Sequence, residues 1–135
     1  MVATKIRRTS SSRGRSSPVD PVTRYALDVT EGRVVAGPHV RAACARHLRD
    51  LSRQGSKGFP YRFDAGKADR VVRYFRAVLR LDGGSEDPKP FELVPWQVFV
   101  QGSLFGWVHS QTRFRRFITA FVETGKGSGK SPLAA

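Results

Sequence analysis

The chain lacks the residues that covalent or metal staples require. A single cysteine, Cys44, among 135 residues excludes an internal disulfide framework. A closed zinc site would need more ligands than Cys44, His39, His47 and His109 supply. Acid is scarce as well: 11 Asp+Glu stand against 24 Lys+Arg, for a formal charge of +13. That excess points to an anionic partner such as nucleic acid, phosphate or an acidic surface, and is silent about the fold. No apolar run approaches the roughly 18 residues of a membrane span, and the basic start has no signal-like apolar stretch. What remains is 39% hydrophobic and 10% aromatic, enough for a modest core and too much for wholesale disorder. Composition therefore predicts a small, soluble, intracellular, strongly basic domain.

Along the chain, residues 1–17 carry Lys5, Arg7, Arg8, Arg13 and Arg15 and no acid. Such a segment cannot bury enough surface to offset its ordering entropy, so residues 1–19 are expected to be a disordered basic arm, either a solubilising tail or a DNA-touching one. Asp20 as N-cap with Pro21 at the first helical position predicts a helix to about Val29, closed by Gly32. Gly37-Pro38 opens a second helix over 38–53, with Val40, Cys44, Leu48 and Leu51 on its apolar face and Arg41, Arg46, Arg49 and Asp50 elsewhere. Cys44 and His47 lie one turn apart, and without further ligands they are expected to be a core cysteine beside a surface histidine. Tyr61-Arg62-Phe63 is a brief extended piece, and Asp64 caps a third helix to about Leu81. Its stripe is Val71, Val72, Phe75, Val78 and Leu79, and Arg70, Arg73, Arg76 and Arg80 form a basic face, either solvated or meeting DNA phosphate. Residues 83–90 form a loop, and Pro95 begins a fourth, aromatic-rich helix to about His109. The apolar run within 114–124 has the pattern of a strand buried on both faces.

That strand would run directly into Gly125-Lys126-Gly127-Ser128-Gly129-Lys130-Ser131. Glycines at 125, 127 and 129 let backbone N–H groups turn inward around a phosphate, and a helix starting near Gly129 would aim its positive end at the same place. Lys130 would reach the β- and γ-phosphates of ATP, and the Ser131 hydroxyl would complete the shell of a Mg²⁺ ion. The usual pattern has a glycine where Thr124 stands. Upstream, Trp96 and Gln97 open the fourth helix. An indole offers a stacking face and a carboxamide can pair with an adenine edge, while core packing for Trp96 and solvation for Gln97 are the plainer alternative.

These residues, in this order, resemble the amino-terminal part of a tailed-phage terminase large subunit, the ATP-driven DNA-packaging motor. The likeness runs over residues 22–135. It rests on Ala42-Ala43-Cys44-Ala45-Arg46-His47-Leu48-Arg49-Asp50-Leu51, on Phe91-Glu92-Leu93-Val94-Pro95-Trp96-Gln97-Val98-Phe99, and on Leu104-Phe105-Gly106-Trp107. Arg115-Arg116-Phe117 then leads through Phe121-Val122-Glu123 into the glycine loop. The resemblance implies an α/β P-loop NTPase of the RecA/ASCE-like kind, here mostly helical over 20–110, with the first core strand, the loop and a helix start over 111–135. It explains Thr124, because such terminases have a deviant loop with an extra basic residue, a position Lys126 occupies. It implies Lys126 and Lys130 as catalytic lysines and Gly125, Gly127, Ser128, Gly129, Lys130 and Ser131 as phosphate contacts. Ser131 would bear Mg²⁺, and Trp96 and Gln97 would contact adenine. The implied partners are double-stranded DNA, a terminase small subunit, the portal and procapsid, and further copies in a ring, in the host cytoplasm and without a membrane.

The same resemblance implies a Walker B strand and a nuclease domain whose acidic residues are not found here. Glu86-Asp87 and Glu123 form no carboxylate cluster, and Glu123 is expected to tune the loop rather than act as a base. The chain is thus expected to be the front part of a larger protein, inactive by itself. A small basic, non-enzymatic module that binds nucleic acid is the alternative. A small kinase fits less well, since about 120 residues precede the loop.

Overall fold

The computed structural model describes residues 18–81 and 88–134, with Leu81 and Lys130 described by their backbone alone. The basic arm, up to residue 17, and the Glu86-Asp87 pair lie outside the described residues.

The caps read from the sequence start the helices. Asp20 accepts hydrogen bonds from the Val22 and Thr23 amides, with Pro21 leading α1 (Pro21–Thr30). The chain leaves α1 through Gly32 at φ 77°, a left-handed turn that glycine adopts without strain. Helix α2 (Pro38–Arg53) also starts on a proline. After β1 (Tyr61–Phe63), the Asp64 side chain accepts from the Lys67 amide and caps α3 (Ala65–Val78). Strands β2 (Arg80–Leu81) and β3 (Lys89–Pro90) pair antiparallel. Helix α4 (Pro95–Gly106) runs into β4 (Trp107–His109), and α5 (Lys130–Ala134) follows the glycine loop.

Helix α4 packs against both α1 and α3, and α1 packs on α2. Their shared core is Val22, Tyr25, Ala26, Val29, Cys44, Ala68 and Phe99. Two glycines make the approach to α4 possible. A Cβ on Gly102 would overlap Val22 Cγ2, and one on Gly106 would sit 2.5 Å from Phe63 Cε2 and 3.1 Å from the Ala68 methyl. Strand β4 pairs antiparallel with β1, Phe63 opposite Trp107 and Tyr61 opposite His109. Trp107 and Val108 are almost wholly buried.

Several sequence expectations are corrected. The third helix stops at Val78 rather than Leu81, because Leu79 turns extended and its carbonyl accepts from the Phe91 amide, which draws Arg80–Leu81 into a ladder. Residues 89–90 of the expected loop are the other half of that ladder. The fourth helix stops at Gly106 rather than His109, because residues 107–109 pair with β1. Val40 and Val78, both placed on apolar faces, are 39% and 54% exposed.

The inner face of α2 is instead Cys44, His47 and Asp50, so His47 is no surface residue and Asp50 no solvent-side one. His47 and Asp50 each have a partner from distant chain. Trp107 Nε1 donates to His47 Nδ1 at 3.0 Å, and Thr23 Oγ1 lies 3.1 Å from Nε2. An indole only donates, so Nδ1 is the acceptor and the neutral Nε2–H tautomer donates to Thr23. Asp50 is paired by Arg116.

The largest correction concerns residues 114–124. They do not form a strand: one isolated bridge joins Arg115 to Val108, and the chain then continues without a ladder among the described residues. Phe114, Ile118 and Phe121 are 77%, 90% and 89% exposed. A strand buried on both faces needs neighbours on both edges and cover on both faces, and no described segment supplies them. The described sheets are two antiparallel two-stranded ones, so the expected parallel core strand is absent from the described residues and the fold is mixed, mostly helical with few strands. No described helix is long and apolar enough to cross a membrane.

Candidate functional site

The glycine loop folds as a tight turn that leads into α5. Gly127 and Gly129 adopt φ 82° and 75°, left-handed values that residues with a Cβ avoid, so two of the three glycines are required by the backbone itself. A Cβ on Gly125 or Gly127 would meet nothing within 4 Å, so these positions face open space. Gly129 is different. Its missing Cβ would lie 3.0 Å from Gln97 Nε2 and 3.6 Å from Phe91 Cζ, so the loop is seated on the start of α4. Inside the loop, the Ser128 hydroxyl donates to the Gly125 carbonyl and meets the Thr124 hydroxyl. Helix α5 begins at Lys130, as expected, and tolerates Pro132 in its first turn.

Gln97 joins α4 to this loop. Its Oε1 accepts from the Val94 amide at 3.0 Å, and its Nε2 donates to the Ser128 carbonyl at 3.1 Å. At 5% exposure it is not the solvated residue of the plainer alternative. A carboxamide has two N–H groups and two acceptor lone pairs, so one of each is still uncommitted. One turn on, Gln101 donates to the Leu133 carbonyl at 2.9 Å. Sequence reasoning misses Gln101, whose only signal is its spacing of four residues from Gln97 on one helix face.

Trp96 is half-buried against the core and also stands in the wall of a groove of about 850 Å³. That groove lies between the α1–α2 junction, the start of α4 and residues 121–125, with Thr124 and Ser128 at its loop end. Trp96, Gly125 and Ser128 line this groove, whereas Gln97 is buried against Ser128 and Gly129 and does not line it. Lys126 on the loop and Ser131 in the first turn of α5 are exposed, and the Lys130 side chain lies outside the described residues. Glu123 lines the groove and is exposed. Among the described residues no group of His, Cys, Asp or Glu could hold a metal ion. Cys44 is fully buried, and burial pushes its thiol up to about 11, so it is no nucleophile.

Arg116 fixes the approach to the loop. In the sequence it is one member of a basic pair, yet its guanidinium lies 4.9–5.4 Å from the ring centroids of Phe59, Tyr61, Trp107 and Phe117. Its amide donates to the Trp107 carbonyl, which lays the segment along β4.

A glycine turn with two left-handed positions, open to solvent and resting on a helix start, is the geometry that leaves main-chain groups free for a ligand. Residues 95–135, which hold α4 and this turn, match an ATPase-domain family. That family is described as "Terminase large subunit, ATPase domain", and the match bears out the resemblance to terminase large subunits. Helices α1 to α3 lie outside the matched residues. No curated protein and no solved structure matches the chain.

Proposed function

We propose that this chain is the ATPase portion of a phage terminase large subunit, in which residues 125–131 bind ATP to power movement of viral DNA into a procapsid. The observation that carries the reading is the seating of the left-handed Gly127–Gly129 turn on Gln97 and Phe91, inside the stretch that matches the family. The residues fit the nucleotide. Backbone amides of the glycine turn would hold phosphate oxygens, and Lys130 and Lys126 would offset their charge. The uncommitted N–H and lone pair of Gln97 suit an adenine edge, and Trp96 offers the groove a flat apolar wall. The exposed Ser131 hydroxyl would hold Mg²⁺, which supplies charge neutralisation between the β- and γ-phosphates when bound. The P-loop NTPase-like core, double-stranded DNA, the small subunit, the portal and procapsid, a ring of copies and action in the host cytoplasm all belong to this proposal.

The test is fluorescence titration of the chain with a fluorescent ATP analogue and Mg²⁺. Binding by the unsubstituted chain that is lost in Lys130→Ala, with an unchanged melting curve, is the expected result. Equal binding by both chains overturns the proposal in favour of a non-enzymatic basic module.

A further inference from the structure

A second groove, of about 460 Å³, lies between α3 and the second half of α4 and shares no lining residue with the groove beside Trp96. Its floor includes Phe75 and Phe105, and its rim carries Lys67, Arg70, Tyr74 and Arg115. Lys67, Arg70 and Tyr74 follow one another at helical spacing, which aligns them along one edge of α3. Among the described residues no carboxylate lines the groove. The nearby acids are engaged elsewhere: Asp69 with Arg73 at 2.8 Å, Glu92 with Arg76 at 3.5 Å, and Asp64 with Arg113. Arg70 and Arg115 therefore have no carboxylate partner among the described residues, and Lys67 spends one N–H on the Arg113 carbonyl. The Arg115 guanidinium lies over the Phe105 ring at 4.9 Å, and Tyr74 is 54% exposed.

Unpaired cations around an aromatic floor call for a ligand that is anionic along its length and presents flat apolar groups. A single strand of nucleic acid has that chemistry: its phosphates pair with Lys and Arg, and its unstacked bases lie on aromatic rings or guanidinium planes. In a duplex the bases are stacked on one another, so the floor would go unused. We propose that this groove binds single-stranded nucleic acid, with backbone phosphates at Lys67, Arg70 and Arg115 and a base against Tyr74 and the Arg115–Phe105 stack. The inference goes beyond the nucleotide reading and does not depend on it.

The experiment is anisotropy titration of a labelled oligothymidylate with the full chain at several salt concentrations. Arg70→Ala with Arg115→Ala should weaken binding about ten-fold and flatten the log–log salt slope by about 1.4, or about 0.7 for each phosphate left without its arginine. Tyr74→Ala should weaken binding about ten-fold and leave the slope unchanged. Arg73→Ala with Arg76→Ala, which removes equal charge from paired positions, should cost no more than about two-fold. Arg70→Glu, at an exposed helix position, should melt as the parent does and bind worst. The basic residues of the amino terminus are common to every variant, so they cancel in these comparisons. Losses as large in the Arg73/Arg76 variant, a loss of duplex binding in the Arg70/Arg115 variant as large as its loss of single-strand binding, or displacement of the oligonucleotide by polyglutamate at comparable charge would each overturn the proposal.

Discussion

The Arg116 guanidinium donates to the Asp50 carboxylate at 2.8 Å, across 66 residues of sequence, and Asp50 is only 2% exposed. Arg53 approaches the same carboxylate at 3.5 Å. Removing one partner of a buried pair leaves a charge without compensation, which costs about 3–5 kcal/mol. Asp50→Ala should therefore destabilise the chain by about 3 kcal/mol in urea unfolding. Asp50→Leu with Arg116→Met should recover most of that stability, since the rings of Phe59, Tyr61, Trp107 and Phe117 accept an apolar side chain.

Stability should depend on pH through His47. Burial pushes its imidazole down to about 4, against the partial opposition of Asp20 and Asp50. The unfolded chain then binds the proton more readily, so this contribution is complete above about pH 6.5 and is lost as pH falls toward 4. Between pH 7 and pH 5 the decrease should be about 2 kcal/mol. Urea titrations at the two pH values check it, and His47→Gln should be less stable at pH 7 with a flatter dependence.

Gly102→Ala sets two effects against each other. Alanine favours a helix interior by about 1 kcal/mol, but its methyl would overlap Val22 Cγ2, a β-branched side chain with little freedom to turn away. Overpacking of this kind costs about 1–3 kcal/mol, so a net destabilisation of up to about 2 kcal/mol is expected. Thermal unfolding measures it.

Gly127→Ala should separate ligand binding from stability. No atom lies within 4 Å of the new methyl, but φ 82° is a left-handed value that costs a Cβ-bearing residue about 1–2 kcal/mol. The turn is exposed and can relax to another shape, so the melting curve should hardly move. Affinity for the ATP analogue should fall by about ten-fold or more as the turn leaves its present shape.

Local chemistry was legible and long-range pairing was not. Asp20-Pro21, Gly37-Pro38 and Asp64 mark helix starts through capping that involves only neighbouring residues, and α2 spans the range its periodicity predicts. The inner face of α2 could not be read in the same way, because His47 and Asp50 look like solvent-side residues until Trp107 and Arg116 arrive from the other end of the chain. Glycine by itself weakens a helix, and only the positions of Val22 and Phe63 give Gly102 and Gly106 their purpose. An apolar run such as 117–122 fixes composition, whereas a strand is a relation between two segments. At the candidate site the glycine spacing carried the turn and the likeness to terminases drew attention to Gln97. The hold of Gln97 on the Ser128 carbonyl needed coordinates.

The stretch after Arg116 has a practical consequence for handling the molecule. Its exposed apolar side chains, Ile118 and Phe121 among them, stand on backbone with no ladder among the described residues, and an exposed apolar run of this kind favours pairing with another copy of itself. Despite a charge that keeps molecules apart, concentrated solutions should scatter light, more so as salt screens that repulsion. Ile118→Lys should clear them.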